Sequence, residues 1–235
     1  MCFSPEASFA VGGALVPTAA YCLRAAWVKD RRLIPLAVAP LAFATQQLAE
    51  GFVWLGLNSG NAAQTRAATL GFLFFALAFW PFWPSLGAAL LETRPRRKWL
   101  FAALAVFNAG WFWVLYFPLL VGPESLLTVQ VVHHSVQYSY PDLAVYRYVP
   151  RPALRLLYLL AVVIPLVFGP NVLGRLPGVI LLGAVAVSAA LFEYAFISVW
   201  CFFAALLALY LCVVFYQLPV RGPAVERVAL CPSAK

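Results

Sequence analysis

Residues 33–57 read LIPLAVAPLAFATQQLAEGFVWLGL: twenty-five residues whose only charged side chain is Glu50. A helix needs roughly 20 mainly apolar residues to cross about 30 Å of hydrocarbon. This stretch is long enough, and it is unusual in carrying polar groups along one stripe. Gln46, Gln47, Glu50, Trp54 and Asn58 recur at three- and four-residue steps, the repeat of a single helical face. A carboxylate at that depth costs on the order of 2.5–3.5 kcal/mol, so it is expected to face the bundle interior or water.

Working outward, six further segments have the same character. They run from Phe9 to Val28, Ala67 to Leu91, Trp99 to Val121, Pro152 to Gly169, Leu176 to Tyr194 and Ile197 to Leu218. Pro165 interrupts the fifth segment in chain order, and a tight turn near Glu193 to Ser198 separates the last two. Across the chain, 64% of residues are hydrophobic and 10% are charged, far too little charge for the surface of a soluble fold. The expected fold is all-α: a polytopic integral membrane bundle of seven transmembrane helices. Residues 1–218 are expected to form one domain and 219–235 a short cytoplasmic tail.

Charge sets the orientation. With the N-terminus outside and the C-terminus cytoplasmic, the inner loops and tail receive 12 of the 16 basic residues, including Lys29, Arg31, Arg32 and Arg94 to Lys98. The net charge of +8 then follows from topology and attraction to the lipid surface; a nucleic-acid partner is not expected, since no soluble basic face remains. The first segment has no basic residues before it, unlike a cleaved signal peptide. Of five cysteines, only Cys2 and Cys201 fall near the outer face, where a disulfide could persist.

Glu50 is the candidate acid/base group. The candidate ligand-binding residues are Gln46, Gln47, Trp54, Asn108, Trp111, Glu193 and Tyr194. Glu193 is equally a solvated turn carboxylate, and Asn108 and Trp111 equally serve helix packing. His133 and His134, the only histidines, lie in the long outer loop 122–151 beside Tyr138, Tyr140, Tyr146 and Tyr148. Imidazoles there are candidate ligands for a zinc or copper ion, with further ligands needed from elsewhere; the competing reading is an interfacial loop anchored by tyrosines. Trp80-Pro81-Phe82-Trp83-Pro84 is expected to kink the third helix.

All three lysines sit at membrane edges or in the tail, so none is placed to carry a retinal Schiff base. Phosphate-binding glycine loops and paired transporter repeats are not visible. The leading expectation is an outward-facing polar pocket around Glu50 for a small molecule or lipid headgroup, with metal-assisted chemistry as an extension. The alternatives are a non-catalytic sensor or accessory subunit of a membrane complex, and a proton-coupled transporter.

The opening Met1-Cys2-Phe3-Ser4 with Ala7-Ser8-Phe9, together with Gln46-Gln47, Glu50-Gly51, Trp80-Pro81 and Ser198 to Ala205, resembles an uncharacterised family of bacterial multi-span membrane proteins that begin Met-Cys-Phe-Ser. The resemblance implies seven spans in the bacterial cytoplasmic (inner) membrane and carries no known activity. More distantly, the expected bundle is similar to membrane hydrolases of the alkaline ceramidase and adiponectin-receptor type. Those hold zinc with several histidines; this chain has two, side by side.

Overall fold

A computed structural model describes residues 4–170, 180–184 and 196–218. Six long helices follow one another: α1 (Pro5–Lys29), α2 (Ile34–Ser59), α3 (Ala62–Leu91), α4 (Pro95–Val121), α5 (Arg151–Phe168) and α6 (Phe196–Gln217). Their bounds lie within a few residues of those expected. Of the expected sixth segment, 180–184 are helical; the rest lies outside the described residues, as do Glu193 and Tyr194.

Local chemistry explains the helix ends. The Ser4 hydroxyl accepts from the Ala7 backbone N–H, and Pro5 stands in the first turn, where its missing N–H costs nothing. Gly60, at φ 67°, closes α2 in the left-handed conformation that glycine adopts without strain. The Asn61 side chain then accepts from the Gln64 N–H at 3.0 Å and starts α3.

Both α3 and α4 contain one wider π-turn, Phe75–Phe79 and Phe112–Tyr116. Pro81 and Pro118 follow them. Each proline lacks an N–H and crowds the carbonyl four residues earlier, at Leu77 or Val114, so the turn widens where those carbonyls fall. Tyr158 of α5 donates its hydroxyl to the Ala76 carbonyl at 2.6 Å, satisfying the loosened backbone. The two prolines in the aromatic run thus yield a π-turn, and α3 continues as far as Leu91. In the same way α5 runs through Pro165 to Phe168.

Five stretches are long and apolar enough to cross a membrane among the described residues: α1, α3, α4, α5 and Trp200–Gln217 of α6. Helix α2 is long enough too, but Gln46, Gln47 and Glu50 dilute its apolar character; its neighbours bury one flank, while Leu41, Phe52 and Leu55 stay exposed. Close approach depends on small residues. A Cβ on Gly12 would lie 3.0 Å from Leu48, and one on Gly56 would lie 2.5 Å from the Thr65 hydroxyl and 2.8 Å from its backbone nitrogen.

One end of the bundle gathers the basic loops. There Lys29 donates to the carbonyls of Phe215, Tyr216 and Leu218 at 2.7–3.0 Å, tying α1 to the end of α6. Arg97 pairs with Glu92 at 3.2 Å and also donates to the Phe168 carbonyl, joining α3, α4 and α5. At the opposite end Arg66 lies 3.5 Å from Glu124, and Arg151 donates to the Pro141 carbonyl.

The expectation of an all-α chain needs one correction. The long loop folds into an antiparallel hairpin, β1 (Thr128–Val132) and β2 (Ser135–Ser139), with Val129 opposite Tyr138 and Val131 opposite Val136. Alternating valines suit a pleated strand, and two residues, His133 and His134, make the turn at φ 46° and 58°.

Candidate functional site

Position along α2 sets the site. On a helix with 100° per residue, Gln46, Gln47, Glu50 and Trp54 occupy an arc of about 100°. Their helical neighbours Phe43, Val53 and Gly51 are buried too, so this flank of α2 faces the interior. Gln46, Gln47 and Glu50 are wholly inaccessible to solvent, and Trp54 is nearly so.

Three elements close around this arc. From α3, the Trp80 indole N–H donates to Gln46 Oε1 at 2.6 Å, while its ring stacks on Phe43 with centroids 3.8 Å apart. From β2, Val136 is fully buried against Val53 and Trp54, so the hairpin lies over the end of α2. Two residues further on, the Tyr138 hydroxyl donates to Glu50 Oε1 at 3.4 Å, and its ring stacks on Phe72 of α3 at 4.8 Å. From α6, the buried Cys201 thiol lies beside Gln46 and within electrostatic reach of Glu50. Cys201 is a free thiol, and Cys2, its expected disulfide partner, lies outside the described residues.

Several buried polar atoms here have no hydrogen-bond partner among the described residues. They are both amide atoms of Gln47, the hydroxyls of Ser8, Thr69 and Ser135, and the Trp54 indole N–H. Four elements contribute them: Ser8 is in α1, Gln47 and Trp54 in α2, Thr69 in α3 one turn before Phe72, and Ser135 in β2. Ser8, Gln47, Thr69 and Ser135 are all 0% exposed. A buried polar group left unmatched costs about 1–3 kcal/mol, so five such side chains at one end of a bundle call for partners beyond the described residues.

Above the cluster, Tyr140 and Tyr146 stack with centroids 6.5 Å apart, and the Arg151 guanidinium lies 4.9 Å from the Tyr146 ring centre. Burial pushes the Tyr140 phenol well above its ordinary value. Burial raises Tyr146 too, against the opposing pull of Arg151 and Arg155. Both therefore stay neutral near neutral pH and can donate hydrogen bonds.

The other residues singled out in the sequence go elsewhere. Asn108 donates to Ser85 at 3.0 Å and joins α4 to α3. Trp111 meets Tyr158 edge-on at 5.6 Å and enters the apolar cluster that also holds Phe72 and Cys201. His133 and His134 are exposed at the hairpin tip, while Val136 and Tyr138 of the same hairpin reach α2. Among the described residues, His, Cys, Asp and Glu form no group of three or more suited to a metal ion. Sequence reasoning missed Thr69, Ser135 and the link from Trp80 to Gln46. Thr69 could have been found from its place in the apolar row with Phe72, Leu73 and Ala76.

The model of a family of unknown function, DUF6629, matches residues 1–225, and the chain belongs to that family. No curated protein and no solved structure matches it.

Proposed function

We propose that the chain is a seven-span protein of the bacterial inner membrane, N-terminus outside, whose outer half binds a small hydrogen-bonding molecule or lipid headgroup at Glu50. The observation that supports this reading is the set of buried polar atoms on α1, α2, α3 and β2 around the Glu50 level that have no partner among the described residues. A ligand bearing both donors and acceptors satisfies the two Gln47 amide atoms and the hydroxyls together, with Glu50 as its anchor and the group suited to proton transfer.

The topology rests on direction and charge. Helices α5 and α6 both end at the basic face, which fits one further crossing between them and gives seven in all. The excess of Lys and Arg at that face supports a cytoplasmic assignment for it. The hairpin and the Glu50 cluster then lie on the outer side, covered by Val136 and Tyr138.

Chemical labelling tests the site. In right-side-out vesicles of a Val136→Ala, Tyr138→Ala variant, which uncovers Glu50, a water-soluble carbodiimide is expected to modify it, read as a mass increase on its peptide, and adding Glu50→Gln provides the blank. Modification from the cytoplasmic side alone, or none in the folded protein, overturns an outward-opening pocket. Reporter fusions after Pro95 and after Lys235 are expected to read cytoplasmic; a periplasmic signal at either overturns the orientation.

A further inference from the structure

The inner half of the bundle holds an apolar cavity of about 170 Å³ walled by α2, α3, α5 and α6. On α6 its lining runs down one face through Cys201, Ala204, Ala208 and Leu211, and on α3 it runs from Trp80 through Gly87 to Leu91. Each stripe covers about 15 Å of helix, so the space is long relative to its volume. Small residues create it: a Cβ on Gly87 would meet only Pro35, at 3.8 Å. An apolar cavity of about 150 Å³ stays dry and admits a six-carbon ring. This one has similar capacity drawn out along the helices, which suits a hydrocarbon chain better than a compact solute.

Its outer end meets the polar cluster. Trp80, part of the wall, hydrogen-bonds Gln46, and Cys201, also part of the wall, lies beside Gln46 and near Glu50. The side chains of Trp80 and Cys201 therefore stand between this carbon-lined space and the Gln46 amide and Glu50 carboxyl, with no helix intervening. We propose that cavity and cluster form one site for a single-chain amphiphile with a hydroxyl head, its tail in the cavity and its head at Gln46 and Glu50. The head assignment rests on the reading of Glu50 as a ligand anchor; the tail assignment rests on the cavity alone. A hydroxyl both donates to the carboxyl and accepts from an amide, whereas an anionic head would set like charges together.

The test uses the full chain in nanodiscs and a long-chain alcohol carrying a diazirine near the chain end. Photolysis is expected to label peptides spanning 80–91 and 201–211 above the lipid-facing stretch at Val106 and Phe107. Unlabelled 1-octanol is expected to compete about tenfold better than octane, the ratio that one good hydrogen bond to a buried charged group supplies. Gly87→Leu combined with Ala204→Leu fills the cavity and is expected to abolish the labelling; should that pair fail to fold, Ala208→Leu gives a partial loss. Labelling spread evenly over lipid-facing helix, or unchanged by filling, overturns the tail assignment. Glu50→Gln is expected to keep the labelling and erase the advantage of 1-octanol. An advantage that survives Glu50→Gln overturns the head assignment and leaves the tail site standing.

Discussion

Toward the hairpin end of the bundle, α1, α2 and α3 bury Ser8, Gln47, Glu50 and Thr69 completely. Toward the basic end, the same α2 and α3 line a cavity with almost nothing but carbon. Both halves use close helix contacts, and the basic end is held at its rim by Lys29 on three carbonyls and by Arg97 on Glu92 and Phe168. The contrast teaches that cohesion in this molecule comes from small residues, aromatic packing and the basic rim. Polar burial at the hairpin end adds groups that are unmatched among the described residues, and the proposed binding site rests on them.

Four substitutions break or sharpen the contrast, taken from the largest expected change in stability to the smallest. Gly56→Val sets a branched side chain against the Thr65 backbone, which cannot yield as a side-chain tip could. Separation of α2 from α3 is expected to cost about 3 kcal/mol or more, read as loss of folded protein by size-exclusion chromatography. Lys29→Met strips three carbonyls of their cationic partner, and a loss of about 1–2 kcal/mol in denaturant unfolding is expected. If Lys29→Met proved silent, the basic rim would not be part of what holds that end of the bundle.

Glu50→Gln sharpens the comparison most, since it alters chemistry more than packing. The amide oxygen still accepts from Tyr138, so thermal unfolding is expected to stay within about 1 kcal/mol of the parent while ligand retention falls. Retained ligand at unchanged stability would reduce Glu50 to an interhelical contact. The smallest effect belongs to His133→Asn with His134→Gly. Both positions have positive φ, where asparagine and glycine are less strained, so a gain of a few tenths to about 1 kcal/mol is expected. Unchanged metal content in that variant would also separate the hairpin tip from any bound ion.

Much of this contrast is legible in the residues. The polar stripe of α2 follows from the spacing of Gln46, Glu50 and Trp54, and their burial follows from the cost of a carboxyl facing lipid. Helix limits were readable because Pro, Gly and basic clusters punctuate long apolar runs. The hairpin was not. Its strands, TVQVV and SVQYS, are short, and a His-His turn lacks the Asn-Gly signal that normally reveals a two-residue connection. Tyr138 therefore read as a membrane-interface anchor, and its bond to Glu50 could not be foreseen from an offset of 88 residues. The cavity was equally hidden, because it arises where Gly87, Ala204 and Ala208 from distant segments face one another.

The π-turn at Phe75–Phe79 has a consequence for how the two halves are keyed together. One extra residue in a turn advances everything beyond it by about 100° around the helix axis. Upstream of that turn, α3 presents Thr69 and Phe72 to the Glu50 level; downstream, it presents Trp80, Gly87 and Leu91 to the cavity. The turn is a phase shifter between two surfaces that a uniform α-helix would have forced into a single azimuth. Removing one residue within 75–79 would rotate the Trp80 indole away from Gln46 and the Gly87 gap away from α6, while Thr69 and Phe72 stayed in place.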